Sequence, residues 1–292
     1  MQTTAYRAQG FSPMQVLRFP ADLVRNWFVI SSLVRRELKG KYLNSAIGAA
    51  WTVINPLFML VVYTTVFAGI LQVRWETTGG SMALPNIPEK LRFALMMYCG
   101  ITPWLAFSES VNRGAHIVME NSNLIKKVAF PSESLPIYVV MYTLVNELIG
   151  FAILAVALPI LGAPLPATIL WLPLIVFLRL LFTLGVVYVV ATANVFVRDV
   201  GQMVGLLLLL WMFLTPIFYA EEHLAKADLE WAQKGMSLNP WYYIVNMYRD
   251  IFLRAENPDP VVMLTIFGIG LGTFVVGYAM FMSSKTKFSD EI

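Results

Sequence analysis

Long apolar runs separated by short polar segments dominate the chain. A helix that crosses a bilayer needs about 20 mostly apolar residues. Six stretches meet that requirement, at 46–72, 91–112, 134–160, 168–197, 200–219 and 260–282. The pattern predicts an all-α polytopic membrane protein whose six transmembrane helices form one domain over residues 46–282.

The polar segments between these runs differ in character. Residues 73–90 are rich in Gly and Pro and predict a loop, whereas residues 113–131 are charged and predict a short helical segment. Residues 220–259 combine polar and aromatic side chains, so we expect short re-entrant helices before the last span. Residues 283–292 predict a cytoplasmic tail.

The N-terminal region changes character near residue 24. Residues 1–23, with Pro13 and Pro20, predict a loose tail. In residues 24–45 apolar side chains recur at helical spacing, and Arg and Lys lie between them. Such a basic amphipathic helix is typical of the membrane interface, and an ordinary solvent-facing helix is the alternative.

Composition agrees with a bilayer as the solvent. Hydrophobic residues make up 58% of the 292 positions and charged residues 13%, whereas about a quarter of a soluble domain is charged. A net charge of +3 is too small to indicate nucleic-acid binding. One cysteine and two distant histidines (Cys99, His116 and His223) exclude a disulfide framework and argue against a structural zinc site. We expect no cleavable signal peptide, since the first 25 residues hold no apolar core.

Positive charge predicts the orientation. If the N-terminus is inside, cytoplasmic segments hold thirteen of the 21 Lys and Arg residues and outer segments hold seven, while Arg179 lies within a span. Cytoplasmic loops of membrane proteins carry the excess of Lys and Arg. Both termini are therefore predicted to be cytoplasmic.

The sequence contains no recognisable energy source or catalytic centre. It has no GxxxxGK[ST] loop for ATP, no HExxH, no GxSxG and no Cys–His constellation. Ion-coupled carriers place carboxylates inside the membrane, but here only Glu109 and Glu147 fall within the predicted spans, and each could instead pair or cap. We therefore expect no catalytic residue and no metal site in this chain.

Arg179 is the most costly residue of the predicted spans. A charged side chain at the centre of a membrane helix costs about 2.5 kcal/mol or more unless it is paired or hydrated. Arg179 would face a polar conduit, or it would pair with Glu147 of the neighbouring span. The pairing is the interpretation we favour.

Aromatic side chains concentrate in the first and fifth spans. Aromatic faces are good platforms for sugar rings, but they also fill membrane helices and form belts at the interface. Both interpretations stay open for Trp51, Phe58, Tyr63, Phe67, Trp211, Phe213, Phe218 and Tyr219.

Several stretches together resemble the polysaccharide branch of the ABC-2 family of exporter permeases. The first is RRELKGKYLNSAIGAAWTVINPL at residues 35–57. Others are GITPW at 100–104 with Phe107-Ser108, and Glu120-Asn121 followed by NLIKK at 123–127 and Phe130-Pro131. Arg198-Asp199 and Asn239-Pro240 with Arg249 complete the set, so that the resemblance covers about residues 25–280.

The resemblance implies a transporter permease that is not itself an enzyme. It implies a homodimer in the bacterial inner membrane with two copies of a separate ABC ATPase subunit, which binds the ATP and Mg, so that this chain needs no cofactor. The implied substrate is a lipid-linked polysaccharide, and the O-antigen of lipopolysaccharide is the substrate that the resemblance favours most. It would be carried from the cytoplasm to the periplasm by a permease that is surrounded by membrane lipids. Alternatives are a capsule or teichoic acid exporter, an ABC-2 small-molecule or drug exporter and, in another class, an ion-coupled carrier or intramembrane enzyme.

Three groups of candidate residues follow from the resemblance and the polar segments. The coupling segment 113–131 and the basic helix are expected to contact the ATPase through Arg35, Arg36, Lys39, Arg113, His116, Glu120, Asn121, Asn123, Lys126 and Lys127. The translocation path is predicted to include Phe58, Tyr63, Phe67, Arg179, Trp211, Phe218 and Tyr219. An outer gate is predicted at Trp231, Trp241, Tyr242 and Tyr243.

Overall fold

The computed structural model describes residues 13–42, 48–70, 87–127, 130–219 and 230–292. Within these ranges every regular element is helical and there is no strand. Most of the predicted loop (73–86), the two ends of the first span (46–47 and 71–72) and residues 220–229 of the re-entrant segment lie outside the described residues, as do residues 1–12, 43–45 and 128–129.

Three helices make up the described N-terminal part. Helices α1 (Pro13–Arg25) and α2 (Trp27–Tyr42) precede a 3-10 turn at Gly48–Ala50. Helix α3 (Trp51–Tyr63) follows that turn and continues as a π-helix to Ile70.

The remaining helices form most of the bundle. In chain order they are α4 (Glu89–Glu120), α5 (Ser122–Lys127), α6 (Ser134–Ile160), a 3-10 turn (Ala167–Trp171) with α7 (Leu172–Phe196), α8 (Asp199–Leu214), α9 (Glu230–Ser237), α10 (Pro240–Arg249) with a π-helical extension to Arg254, α11 (Pro260–Ser284), a 3-10 turn (Lys285–Lys287) and α12 (Phe288–Glu291).

Three helical stretches are long and apolar enough to cross a membrane, at Ser134–Ile160, Ala167–Phe196 and Pro260–Glu291. They coincide with the predicted third, fourth and sixth spans and indicate a multi-pass membrane protein. Helix α8 and residues Val53–Val66 are apolar but shorter. The count of six spans therefore stays a prediction.

One predicted boundary differs from the helix that the structure shows. The sequence predicts that the fifth span reaches residue 219, but α8 ends at Leu214, because the residue before a proline disfavours the α conformation and Thr215, which precedes Pro216, is extended (φ −100°, ψ 132°). The second span is predicted at 91–112 and a helical coupling segment after it, and the single helix α4 covers the span and the first part of that segment, to Glu120.

The N-terminal region is also more ordered than its sequence suggests. Residues 13–23, predicted as a loose tail, belong to helix α1. The Phe19 ring packs edge-on against Phe274 and Tyr278 of α11, with ring centres 4.8 and 5.3 Å apart. In α2 the apolar face buries Ile30 and Leu33 against the bundle, mainly along α6.

Helices α7 and α11 cross at very short distance. A Cβ atom added to Gly277 would lie 2.3 Å from the Gly185 carbonyl oxygen, and one added to Gly185 would lie 2.5 Å from the Phe274 nitrogen. Small residues allow membrane helices to approach at this distance, where dispersion and Cα–H contacts replace the hydrophobic effect. The crossing therefore requires glycine at both positions.

A Gly277→Ala substitution is expected to destabilise the protein by about 1–3 kcal/mol, because the new methyl group would meet backbone that cannot move aside. Thermal unfolding in detergent measures the effect. Gly268→Ala is the matched control, since a Cβ atom there has nothing within 4 Å. Equal unfolding temperatures for the two variants would contradict the close contact between the backbones of α7 and α11.

Candidate functional site

A cavity of about 370 Å³ lies between α3, α4 and α6. Three aromatic side chains line it: Trp51, Tyr63 and Tyr98. Hydrogen-bonding groups come from Asn55, Thr102, Glu109, Asn146 and Glu147, and the rest of the wall is apolar. Among these lining residues there is no lysine or arginine, so the cavity suits a neutral, hydroxyl-rich ligand better than a phosphate.

Most of this cavity wall is not predicted as a site by the sequence. Among the predicted path residues whose side chains are described, only Tyr63 lines it, and the Phe218 ring packs against Tyr63 with ring centres 5.8 Å apart. In the sequence Trp51 is one of the aromatics for which the sugar-platform and packing interpretations stay open, and it lies with Asn55 in the stretch 35–57 that carries the resemblance. Tyr98 and Asn146 are not singled out, because single polar residues in an apolar run show nothing about which neighbour they will face.

Glu147 lies at the edge of the cavity, and its carboxylate belongs to a fully buried polar group behind the cavity wall. Arg179 forms an ion pair with Glu147, and the Tyr248 hydroxyl donates a hydrogen bond of 2.9 Å to the second carboxylate oxygen. The side chains of Arg179 and Glu147 are both 0% exposed. This is the pairing that the sequence favours for Arg179, so its place on an open translocation path is not found in this subunit.

These three residues connect α6, α7 and α10. Removing one partner of a buried ion pair leaves an uncompensated charge, whereas removing both can be tolerated. The arrangement therefore fixes the position of α10 relative to α6 and α7.

Most of the other predicted path aromatics contribute to packing. Trp211 lies in a cluster with Trp104, Phe107, Phe182 and Trp241, with centre-to-centre distances of 4.6–6.2 Å between the contacting rings. The Tyr219 hydroxyl donates to the Phe213 carbonyl (2.9 Å). Phe58 lies on the outer surface of the subunit with 61% of its area exposed, and the side chain of Phe67 is not among those described.

Asn239 connects α8 to α10. Its side-chain oxygen accepts hydrogen bonds from the Trp211 indole N–H (2.9 Å) and from the Trp241 backbone N–H (3.0 Å), which caps α10. Its amide donates to the Thr215 hydroxyl (2.9 Å). One side chain therefore holds the end of α8 to the start of α10.

The predicted outer gate is divided between interior and surface. Trp241 is fully buried in the aromatic cluster, so it acts as a core residue of this subunit. Tyr242 and Tyr243 are half-buried, with rings 5.0 Å apart, and the Tyr243 hydroxyl donates to the Ser237 carbonyl (2.9 Å). The side chain of Trp231 lies outside the described part.

Arg249 is a buried charge that the sequence marks only as part of a motif. It is 1% exposed and donates to the Met96 carbonyl (3.1 Å) and to the Ile217 carbonyl (3.2 Å). These bonds connect α10 to α4 and to the turn after α8. Gly100 leaves room for the guanidinium, because a Cβ there would be 3.1 Å from it.

Arg113 connects α4 to the basic helix. It forms an ion pair with Glu37 of α2 and lies 3.7 Å from Glu109, while its guanidinium carbon lies 4.6 Å from the centre of the Tyr142 ring. Burial lowers the pKa of Arg113, but the hydrogen bond and charge of Glu37 outweigh burial and raise that pKa above its usual value. The guanidinium therefore stays charged at all physiological pH values.

His116 lies farther along the same helix, in the junction between α4 and the turn from α7 to α8. A Cβ on Gly201 would be 2.3 Å from the His116 ring, so the ring packs directly on that turn. Asn194 closes the junction: its amide donates to the Ala115 carbonyl and its oxygen accepts from the Gly201 N–H, both at 2.8 Å. His116 is thus a packing residue in this subunit.

The other predicted coupling residues form an open surface. The Asn121 amide donates to the Ile117 carbonyl at the end of α4 (2.8 Å). The side chain of Lys127 is not described. Exposed side chains are Arg35, Arg36, Lys39, Glu120, Asn123 and Lys126.

Comparison with known proteins gives one family. Residues 29–253 match the family described as ABC-2 type transporter. The chain is 30% identical over 278 residues to the O-antigen export system permease protein RfbA of Myxococcus xanthus, which covers 95% of this chain and 100% of that protein. It is 27% identical over 260 residues to a protein of the same name from Klebsiella pneumoniae, covering 88% and 92% respectively. These relatives are named as transport permeases and not as enzymes.

Glu147→Gln is expected to destabilise the protein by about 3–5 kcal/mol, because it leaves the Arg179 charge buried without a counter-charge. The double variant Glu147→Gln with Arg179→Met should recover most of that loss. Unfolding in detergent and the amount of protein in the membrane are the measurements. Tyr248→Phe, which removes only a hydrogen bond, should cost less than the single Glu147 variant. The opposite order would contradict the view that the ion pair stabilises this group more than the hydrogen bond does.

Proposed function

Because the chain belongs to the ABC-2 type transporter family, we propose that it is the membrane permease of an ATP-driven exporter of a lipid-linked polysaccharide. O-antigen is the polysaccharide that we favour. The glycan moves from the cytoplasm to the periplasm across the bacterial inner membrane. Two copies of the chain work with two copies of a separate ABC ATPase subunit, which binds ATP and Mg and carries out the hydrolysis.

The observation that carries the substrate class is the chemistry of the cavity between α3, α4 and α6. Sugar rings present apolar faces that stack on aromatic side chains and hydroxyl groups that pair with amides and carboxylates. Trp51, Tyr63 and Tyr98 supply the first kind of group, and Asn55 and Asn146 are among those that supply the second. This combination, together with the names of the relatives, supports a glycan as the transported molecule.

Six spans and cytoplasmic termini fit the lengths of the helices. Helix α4, with 32 residues, is about 48 Å long, which exceeds the hydrocarbon thickness of about 30 Å and leaves its charged end in the cytoplasm. Helices α3 and α8 complete the six. The exposed basic residues of α2 lie opposite its buried face, which supports an interfacial position for that helix.

Exposed apolar surface on α3 and α8 supports a homodimer in a bilayer. On α8 only Val204 and Leu208 are buried, while side chains such as Leu206 and Leu210 are more than 60% exposed. On α3, Phe58 and Val61 are similarly exposed. Lipid or a second copy of the chain covers these faces.

Force from the ATPase reaches the cavity through α4. The helix contributes Met97, Tyr98, Ile101, Thr102, Leu105, Ala106 and Glu109 to the cavity wall, and one turn later Arg113 pairs with Glu37. A push on the cytoplasmic end therefore moves α2 and α4 together and shifts one wall of the cavity, in the manner of rigid helix displacement. Pro103, in the middle of α4, removes one backbone hydrogen bond and allows a bend there.

The experiment that tests the function is transport by the permease–ATPase complex in lipid vesicles. A fluorescent lipid-linked glycan added outside should become protected from a glycosidase only when ATP is present. ATP hydrolysis without glycan movement, or equal movement of the lipid carrier without its glycan, would contradict the proposal.

Trp51→Ala and Tyr63→Ala are each expected to slow glycan transport about three- to tenfold, since an aromatic contact is worth about 0.5–1.5 kcal/mol beyond its area. ATP hydrolysis in the absence of glycan should stay near its original rate. Phe177→Ala is the control, because Phe177 is an aromatic residue of α7 that lies half-exposed away from the cavity. An equal loss of the glycan transport rate in all three variants would contradict the proposal that the glycan passes through the cavity.

A further inference from the structure

The last eight residues of the chain, Lys285–Ile292, do not behave as the tail that the sequence predicts. Helix α11 ends at Ser284, and the chain continues through a 3-10 turn into α12. Lys285, Phe288 and Ile292 follow one another at spacings of three and four and therefore share one helical face. That face is turned toward the protein, whereas residues 286, 287 and 289–291 are exposed. We call this segment the C-terminal brace.

Phe288 anchors the brace to the bundle. Its side chain is fully buried, with ring centres 5.1 Å from Phe281 of α11 and 6.4 Å from Phe196 at the cytoplasmic end of α7. An aromatic side chain inserted between two helix ends fixes their separation, because interiors are close-packed and leave little room for movement.

Two polar contacts then connect the brace to α5 and to the residue that precedes α6. The Lys285 ammonium donates to the Glu133 carboxylate at 3.3 Å, and Lys126 of α5 donates to the backbone oxygen of Ile292. Glu133 directly precedes α6, and its carbonyl also accepts from the Tyr188 hydroxyl of α7 at 2.8 Å. The brace therefore contacts the chain at both ends of the connection between α5 and α6, at Lys126 in α5 and at Glu133 before α6.

Helix α5 needs such support. It has six residues, and an isolated helix of that length is not stable in water. Asn123 and Lys126 are exposed, whereas Ile125 is partly buried against the core, so one apolar face alone holds α5 in place. A segment held this weakly would give way under a load instead of passing it to the spans.

We propose that the C-terminal brace is a positioning element for energy coupling. It holds α5 and the start of α6 against the ends of α7 and α11, so that a push by the ATPase on α5 moves these helices together. The proposal rests on the proposed function, in which the ATPase engages the coupling segment. Lys285, Phe288 and Glu133 act through α5 and touch neither glycan nor nucleotide.

The direct test is the amount of glycan moved per ATP hydrolysed by the permease–ATPase complex in vesicles. Lys285→Glu and Glu133→Lys should each lower this ratio about threefold, and the double variant with exchanged charges should restore it. Phe288→Ala should lower the ratio further, whereas Phe288→Leu, which keeps most of the buried volume, should retain it. Ser289→Ala on the exposed face is the control.

A second measurement does not depend on transport. Trypsin cleaves after lysine, so the rate of cleavage at Lys126 and Lys127 in the folded permease reports how firmly α5 is held. That rate should rise about threefold in Lys285→Glu and return toward the original in the charge-exchanged variant.

The outcomes separate the two proposals. If the original complex moves no glycan, the proposed function fails, and the cleavage rates alone decide whether the brace holds α5. If Phe288→Ala leaves both the ratio and the cleavage rate unchanged, the positioning role is overturned. A loss of transport and ATP hydrolysis in the same proportion, with the ratio unchanged, also overturns it, because the brace would then contribute only to stability.

Discussion

The buried ion pair between Arg179 and Glu147 is the interaction on which the arrangement of the bundle depends. Neither charge can be exposed to lipid without a large cost, so each one requires the other at a fixed place. Since the two residues belong to α7 and α6, and Tyr248 of α10 completes the group, three elements are held in one register. Glu147 also lies at the edge of the cavity between α3, α4 and α6, so the buried ion pair lies directly behind the cavity wall.

The contacts around α10 follow the same physical rule with uncharged partners. In a bilayer the backbone carbonyls freed at helix ends must find donors inside the protein. Arg249 donates to the Ile217 carbonyl in the turn after α8 and also to the Met96 carbonyl within α4, and Asn239 donates to the Leu214 carbonyl at the end of α8 while it caps α10. Polar side chains therefore hold α4, α8 and α10 together, whereas Gly185 and Gly277 allow the backbones of α7 and α11 to come into contact.

How much of the fold and of the site the sequence predicts depends on the kind of pattern that is used. Apolar run length locates α6 at Ser134–Ile160 without error and α7 and α11 within a few residues, because the bilayer imposes that length directly. It does not show that the predicted second span and the charged segment after it form one helix, α4, because contacts such as that of Arg113 with Glu37 leave no apolar signature. The aromatic residues of the spans serve both of the purposes that the sequence leaves open, packing and the lining of a path. Trp211 and Trp241 pack in the interior around Phe107, whereas Trp51 and Tyr63 line a cavity. Whether an aromatic side chain packs in the interior or lines a cavity depends on its neighbours from other helices, and the sequence of one helix does not contain that information.

A polysaccharide exporter has to move a long chain of similar units, and the chemistry of the cavity agrees with that task. A site that bound one sugar tightly would slow every step, because the same free energy would oppose release. In the proposed function, stacking faces and a few amide and carboxylate groups hold each ring weakly, and the lining residues include no lysine or arginine that would bind a phosphate strongly. With weak binding, the proposed transport depends on the coupling between the ATPase and the cavity wall, because each ATP-driven step must displace that wall by a defined amount. A single long helix, α4, that carries cavity residues at Tyr98 and Glu109 and contacts α2 at Arg113 can transmit such a displacement, provided that the end of α4 beyond Arg113 and α5 stay fixed.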